Sequence, residues 1–444
     1  MKINRKASPK KLWSKTKHLL IAGVSGFGKG NFGEAYISKF SDKGVKVFDL
    51  NSESRGEGML YGIPQTDSGM KTRLNYLSDD RLKPKAYKNE IIMFLGHNLG
   101  KLQKLPANVK VSAFNEEWLT NEDLKKFLAF NDSQVALLEG IFEIHDDQKL
   151  SLSYLYNFLS KAAKSPVGKG MNREARALKQ MGSHYMSVNT IKRRARALLR
   201  SGLFYRHPED MKHYFWYLDL DKSLSEVDTI TSFSTYLIED SYIRYVCVGM
   251  LLKKFIEIME HRQTRTPMLF YLREANDFFY MQNPPQYVID IQDNISKILR
   301  KGRSFGGSEV TVVMDTQLLY DLPDQIFNGF NKFICFRLPL SDSKRLLRKA
   351  SIPPLYLENL SKVEVGTGMY IINGTFQYPY LFYPTLHKKN EPNFDVFNYL
   401  SSKYGVVDYN ESSFLKLALH PPKKEHEFLV PDLDEQPIEE VITA

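Results

Sequence analysis

Short, unbroken apolar runs alternate along this chain with longer stretches whose apolar positions recur every three or four residues. The first pattern marks buried strands and the second amphipathic helices. HLLIAG (18–23) is an apolar run closed by glycine, the segment from Asn31 to Phe40 has helical spacing, and GVKVFDL (44–50) is a second apolar run. Strand, glycine loop, helix, strand is the βαβ unit of a parallel sheet. Further strands are predicted at EIIMFLG (90–96), around VKVSAF (109–114), and at WYLDL (216–220), MLFYL (268–272), VTVVMDT (310–316) and FICFRL (333–338). From Asn121 to about Phe204 the spacing is helical, broken by the loop SPVGKGMN (165–172); residues 233–262 read as one long helix, and another runs to about Lys301. No internal repeat is present.

The expected architecture is one α/β core with a mainly parallel sheet over 18–120 and 215–400. A basic helical insertion at 121–214 interrupts it, a basic leader (1–17) precedes it, and a C-terminal segment (401–444) ends in an acidic tail. Ligands of such a sheet bind at the carboxyl ends of its strands.

Composition narrows the class. With 444 residues, 43% of them hydrophobic and 25% charged, the chain can bury a large core as a globular protein. Apolar runs such as YVCVGMLL (245–252) are too short to cross a bilayer. Cys247 and Cys335 both lie in apolar runs and read as core thiols of a reduced, cytoplasmic protein. No His/Cys cluster has zinc-site spacing. The net charge of +10 is unevenly spread: residues 161–213 carry 13 Lys and Arg against three acids, while 425–444 carry seven acids and no base. That asymmetry points to a polyanionic partner, nucleic acid ahead of an acidic membrane, or else to a solvated basic face.

The chemistry is concentrated in HLLIAGVSGFGKGNFGEAY (18–36), where Gly23-Val24-Ser25-Gly26-Phe27-Gly28-Lys29 satisfies G-x-x-x-x-G-K. Glycines let backbone N–H groups curl round a phosphate, Lys29 reaches the outer phosphates, and the helix that follows points its positive end at the same place. The candidate nucleotide-binding residues are Gly23, Ser25, Gly26, Phe27, Gly28, Lys29, Gly30 and Asn31. Gly30 departs from the motif, because a serine or threonine hydroxyl normally ligates magnesium there. Asp49 ends the second strand and is a candidate for metal or attacking water, or for a turn cap in DLNSES; Glu53 is a weaker candidate of the same kind. PMLFYLREAND (267–277) leads an apolar strand into Glu274, which is placed to polarise water and support metal, while Arg273 occupies the preceding position, where an aspartate is usual. Arg273 and Glu274 also admit a bland reading as a surface pair at a helix start. Gln317 closes the strand VTVVMDT and can sense a γ-phosphate. Arg303, in RKGRSFGG (300–307), can act as an arginine finger on a neighbouring subunit.

The order of these elements over about residues 18–340 resembles the HerA/FtsK superfamily of ring-shaped DNA-pumping ATPases, in particular HerA-type bipolar translocases and VirD4/TraG-type conjugative coupling ATPases. Its most specific stretch is RKGRSFGGSEVTVVMDTQLLYDLPDQIFNGFNKFICFRLP (300–339). The resemblance implies a RecA-like P-loop NTPase core that uses ATP and Mg²⁺. It implies Lys29 on the β/γ-phosphates, Asp49 and Glu274 serving metal and water, Arg303 acting in trans and Gln317 as sensor. It also implies a homo-hexameric ring on double-stranded DNA, with a nuclease or other DNA-processing protein as a possible partner. Gly30 resembles a variant tolerated in coupling ATPases; Arg273 has no counterpart. The β-barrel and membrane anchor that precede the core in some relatives find no match, so a core-only motor is expected.

SVNTIKRRARALLRSGLFYRH (187–207) reads as a basic amphipathic helix, with Ile191, Ala195, Leu198 and Leu199 on one side. It resembles a winged-helix recognition segment. Lys192, Arg193, Arg194, Arg196 and Arg200, together with Lys169 and Arg173 from the preceding loop, are the candidate contacts to a nucleic-acid backbone. These bases could instead meet acids on an adjacent subunit. Two competing readings remain open at this level: a nucleotide-binding but hydrolysis-deficient subunit of a DNA-processing complex, favoured by Gly30 and Arg273, and a DNA-binding regulator built on the basic helix.

Overall fold

The computed structural model describes residues 18–41, 43–51, 89–94, 109–165, 170–180, 185–205, 216–217, 220–225, 229–261, 267–279, 284–302, 310–350, 360–363, 368–372 and 380–382. The chain enters through β1 (Leu19–Ala22), the loop 23–28, α1 (Lys29–Ser41) and β2 (Lys46–Asn51), then β3 (Asn89–Met93) and β4 (Val109–Asn115). The insertion follows as α2 (Asn121–Leu128), α3 (Asp132–Ile144), α4 (Leu152–Ala163), α5 (Arg173–Gln180) and α6 (Tyr185–Arg200). The short strands β5 (Phe204–Tyr205) and β6 (Trp216–Tyr217), helix α7 (Leu220–Ser225) and β7 (Ile230–Ser234) lead back to the core. There α8 (Ser241–His261), β8 (Met268–Leu272), α9 (Asn276–Phe279), α10 (Gln286–Lys301) and β9 (Val310–Thr316) precede α11 (Asp324–Gly329), β10 (Lys332–Cys335), α12 (Leu340–Ala350), β11 (Gly368–Ile372) and β12 (Tyr380–Phe382).

The strands form one sheet in the order β12-β11-β10-β1-β9-β8-β2-β7-β3-β4-β5, with β6 also on β4. The pairs β10–β11 and β11–β12 are antiparallel, and the other pairs are parallel. The expected α/β class with a mainly parallel sheet is the one observed. Both faces are covered, which is why the strands read as continuous apolar runs. Leu19 and Ile21 of β1 pack with Phe32, Tyr36 and Ile37 of α1, whereas Leu20 and Ala22 join the large opposite cluster with α8 and α10. Each fully buried side chain of this size contributes about 1.5–3 kcal/mol.

Two sequence expectations are corrected. Residues 233–234 belong to β7, a fully buried strand between β2 and β3, and the helix begins only at Ser241. ITSFS is rich in β-branched and aromatic residues, while the apolar spacing of the following turn imitates a helix start. The real start is set by Asp240, whose Oδ1 accepts the N–H groups of Tyr242 (2.8 Å) and Ile243 (3.3 Å). WYLDL is likewise split, with a two-residue strand followed by α7 from Leu220.

The insertion is anchored to the core. A capping box, Thr120 with Asp123, opens α2, and Asp123 also pairs with Lys253 of α8. Lys126 pairs with Asp290 of α10 at 2.8 Å. Phe130 packs on Tyr242 and Tyr287, and the Tyr242 hydroxyl donates to the Phe127 carbonyl at 3.0 Å.

Helix α1 crosses β8 at Gly33, where an added Cβ falls 1.9 Å from the Tyr271 hydroxyl oxygen. That hydroxyl donates at 2.6 Å to Asp315 and cannot swing away without losing the bond. Gly33→Ala is therefore expected to destabilise the fold by about 1–3 kcal/mol, the cost of overpacking a filled core. Chemical denaturation of the variant beside the wild type checks it.

Candidate nucleotide-binding site

Parallel pairing aligns the carboxyl ends of β1, β9 and β8: Ala22 stands opposite Thr316, and Met314 opposite Leu272. The phosphate-type loop, Gln317 and Glu274 all follow those ends. The loop leaves β1 tied to its neighbours, with the Gly23 N–H donating to the Thr316 carbonyl (3.2 Å) and the Val24 N–H to that of Arg337 (2.9 Å). Gly26 and Gly28 have φ of +82° and +101°. Side-chain-bearing residues rarely adopt these values, and they turn the chain so that the first N–H groups of α1 face the loop. Lys29, the first residue of α1, is 5% exposed. The space beside Gly30 is open, with no atom within 4 Å of a built Cβ. The missing hydroxyl is thus a choice of chemistry, not a steric necessity. Of Asn31 only the helical backbone is described.

Asp49 departs from its expected role. Its strand, β2, is not beside the phosphate-loop strand, because β9 and β8 lie between. Its carboxylate is also occupied. Arg273 donates from Nε to Oδ1 (2.8 Å) and from Nη2 to Oδ2 (2.9 Å), and the Ser232 hydroxyl donates to Oδ2 at 2.5 Å. The third arm of Arg273 reaches Glu34 of α1 at 2.8 Å. Asp49 is 0% and Arg273 4% exposed. Asp49 therefore serves as a buried structural anion, and Arg273 is the bidentate cation that bridges β2, β8 and α1. Burial works against the guanidinium's charge, but Asp49 and Glu34 outweigh it and hold Arg273 well above its usual range. This resolves the bland reading of Arg273 as a surface residue, and the unexpected residue type has a partner set of its own.

Glu274 is brought to Gln317, whose Nε2 donates to Glu274 Oε2 at 3.2 Å. Glu274 has φ of +47°, a left-handed conformation that costs a side-chain-bearing residue about 1–3 kcal/mol. Asp315 of β9, which sequence reasoning missed, supports that turn. It is 2% exposed; its Oδ1 accepts the Glu274 N–H at 2.5 Å, its Oδ2 the Tyr271 hydroxyl at 2.6 Å, and its carbonyl the Ala275 N–H at 2.9 Å. Burial, then the charge of Glu274, push the Asp315 carboxyl up to about 6, against the hydrogen bonds and Lys29. Asp315 thus feels the charges of both Glu274 and Lys29. The signal available in the sequence was an acid inside a strand of Val, Thr and Met, since a buried carboxylate needs partners. Arg337 was also passed over: it is exposed, and its guanidinium carbon lies 5.3 Å from the Phe27 ring centroid.

Nucleotide phosphates fit the loop. For magnesium, Asp49 is spent and Gly30 offers nothing, which leaves Glu274, whose Oε2 is held by Gln317. One protein carboxylate with phosphate oxygens and water is an ordinary magnesium shell. Among the described residues no group of three or more His, Cys, Asp or Glu is arranged for a metal ion. Arg303, Lys169 and Glu53 lie outside the described residues.

On the insertion, Arg173, Arg193, Arg196 and Arg200 are exposed and Lys192 is half-buried, while Val188, Ile191, Ala195 and Leu198 face inward. Arg194 corrects the expected basic face. Its Nη1 donates to the Leu128 carbonyl (2.7 Å) and Gln134 Oε1 (2.8 Å), and its guanidinium lies 3.1 Å from the Phe130 ring centroid. It holds the insertion together instead of pointing outward.

A phosphate loop after β1, an acid after β8 and a glutamine after the intervening β9 define a P-loop protein with a RecA-like α/β core. No family model matches the chain, and no curated protein matches it. Among solved structures, VirB4 of Thermoanaerobacter pseudethanolicus is 10% identical with a TM-score of 0.49, covering 84% of this chain and 89% of that one. The plasmid coupling protein TrwB in complex with the non-hydrolysable ATP analogue ADPNP is 12% identical with a TM-score of 0.48, covering 84% and 87%. The genome packaging NTPase B204 from Sulfolobus turreted icosahedral virus 2 is 10% identical with a TM-score of 0.32, covering 84% and 98%. These likenesses are remote, and no chemistry passes from them to this chain. Among the described residues, no helix is long and apolar enough to cross a membrane.

Two outcomes follow from the buried charges. Arg273→Ala strands two buried carboxylates and is expected to cost about 3–5 kcal/mol, part of which the double variant with Asp49→Asn recovers; urea unfolding of all three proteins measures it. Asp315 has a folded pKa raised above its unfolded value. Its proton-linked contribution is full below an unfolded pKa of about 3.9 and is lost as pH rises through the folded value. Asp315→Asn should therefore gain stability relative to the wild type between about pH 4 and pH 8, by an amount on the order of 2 kcal/mol, when unfolding is followed without nucleotide.

Proposed function

We propose that the protein is a nucleoside-triphosphate hydrolase, and that it works as a DNA-translocating motor of the HerA/FtsK type. The observation that carries this reading is the meeting of Glu274 and Gln317, 3.2 Å apart, at the same sheet edge as the glycine loop and Lys29. In it, loop N–H groups and Lys29 bind the β- and γ-phosphates of ATP. Glu274 accepts the proton of the attacking water. Gln317 orients the Glu274 carboxylate and reports whether the γ-phosphate is present. Magnesium held at Glu274 would supply positive charge to the phosphate oxygens.

For the DNA contact, the exposed bases Arg173, Arg193, Arg196 and Arg200 and the half-buried Lys192 form the candidate surface, joined by Lys169. With no base-reading set among them, they suit phosphate binding independent of sequence, as a motor on double-stranded DNA requires. Arg303, acting in trans within a hexameric ring, completes the proposal. The second reading, a nucleotide-binding subunit without turnover, keeps one observation in its favour: Gly30 has no hydroxyl for a metal. Arg273 no longer weighs on that side, because its cation is consumed by Asp49 and Glu34.

The decisive measurement is ATP turnover with and without double-stranded DNA. The wild type should hydrolyse ATP and be stimulated by DNA. Glu274→Gln should bind ATP yet lose about 10²-fold or more in turnover, and Lys29→Ala should lose binding as well. ATP binding by a wild type with no turnover under any condition would sink the motor and leave the second reading.

A further inference from the structure

We propose that Asp315 is a positioning residue for Glu274: its buried carboxylate fastens the left-handed turn after β8 to β9, and so fixes where the Glu274 side chain stands relative to Gln317 and Lys29. The inference rests on the hydrolase reading and assigns a role to a residue outside the phosphate-loop motif.

Three contacts converge on Asp315. Oδ1 takes the Glu274 N–H (2.5 Å), Oδ2 takes the Tyr271 hydroxyl (2.6 Å), and the carbonyl takes the Ala275 N–H (2.9 Å). Glu274 itself, Ala275 after it and Tyr271 three residues before it are thereby stitched to the strand that lies between β8 and the phosphate-loop strand. Glu274 carries a Cβ in a region that glycine prefers, with φ of +47°. Such a conformation persists where surrounding bonds over-determine it. Arg273, immediately before it, is locked to Asp49 and Glu34, so the freedom left to the turn lies at the Glu274 N–H. Asp315 holds that group. Both its oxygens are engaged by the turn and by Tyr271, so the residue acts through Glu274 and not on a substrate.

The test uses the full chain with Asp315→Ala, Asp315→Val and Asp315→Asn. Alanine and valine remove the acceptor, valine keeping strand propensity if alanine fails to fold. Asparagine keeps a carbonyl oxygen for the Glu274 N–H. Expected for alanine or valine is a fall in kcat of about tenfold to a hundredfold, with ATP affinity changed by less than about twofold. Asparagine should stay within about threefold of wild-type kcat. Hydrogen exchange at the Glu274 amide should quicken about tenfold or more in the alanine or valine protein, and not in the asparagine protein, while the amides of β8 keep their protection. Unchanged kcat in the alanine and valine proteins, or asparagine as slow as alanine, overturns the proposal. If the wild type shows no turnover, the hydrolase reading fails separately. The exchange rate at Glu274 still decides whether Asp315 holds the turn: equal rates in all proteins sink it.

Discussion

The arrangement around the loop depends on a buried guanidinium. Arg273 ties three elements together at one point, β8 through its own backbone, β2 through Asp49 and α1 through Glu34. A charge out of water is costly, and a buried ion pair often adds little net stability over an apolar filling of the same volume. What it supplies is geometry, because a bidentate fork accepts one orientation of its carboxylate. The helix that begins at Lys29 and the strand that ends before Glu274 are thereby held in register, although they belong to parts of the sequence more than two hundred residues apart. The strain at Glu274 is tolerable because its neighbours on both sides are fixed, Arg273 by this bridge and Ala275 by the Asp315 carbonyl.

The same bridge explains which parts of the site were legible in the sequence. The loop, Lys29, Glu274 and Gln317 announce themselves through local patterns: glycine spacing, and apolar runs ending at a polar residue. Parallel strands with covered faces write such runs plainly. Asp49 reads in the sequence as the polar end of an apolar run, as Glu274 does, although Leu50 and Asn51 carry β2 two residues further. The distinction lies in strand order. Consecutive strands are often neighbours, so β2 was the natural choice to flank β1. In the fold β9 and β8 intervene, and Asp315 stands on β9, one of the two strands that flank β1. Strand β7 was hidden for a similar reason, since a central strand joined to an amphipathic helix by a short turn blurs two periods into one. Arg303 and Lys169 stay at the level of sequence expectation.

The insertion carries a parallel lesson about basic residues. Its five bases between Lys192 and Arg200 look equivalent in sequence. Helical geometry separates them: the face that buries Val188, Ile191, Ala195 and Leu198 also carries Arg194 to the Phe130 ring and the Leu128 carbonyl. Burial lowers the pKa of Arg194 without neutralising it. Its guanidinium packs on Phe130, whose ring in turn meets Tyr242 and Tyr287. Arg193, Arg196 and Arg200 keep the solvent-facing positions, so the basic surface is narrower than the charge run suggests. The electrostatic field reaching a polyanion comes from those side chains.

Charge accounting at the sheet edge bears on the absent hydroxyl at Gly30. Arg273 takes both oxygens of Asp49 and one of Glu34, and Ser232 donates to Asp49 as well. Asp315 is turned to the Glu274 turn and Tyr271. Among the described residues, Lys29 lies at the start of α1 and Glu274 after β8, with Gln317 donating to the acid. In a protein that ligates magnesium through a threonine or serine, part of the metal's shell is built before nucleotide arrives. Here the open space beside Gly30 offers no such ligand, and a magnesium ion would take its oxygens mainly from phosphate and water, the shell it commonly prefers. Such a site would tie metal binding to the presence of the triphosphate. In the proposed hydrolase, Glu274 would then be the carboxylate among the described residues placed to hold the ion once the nucleotide has been cleaved.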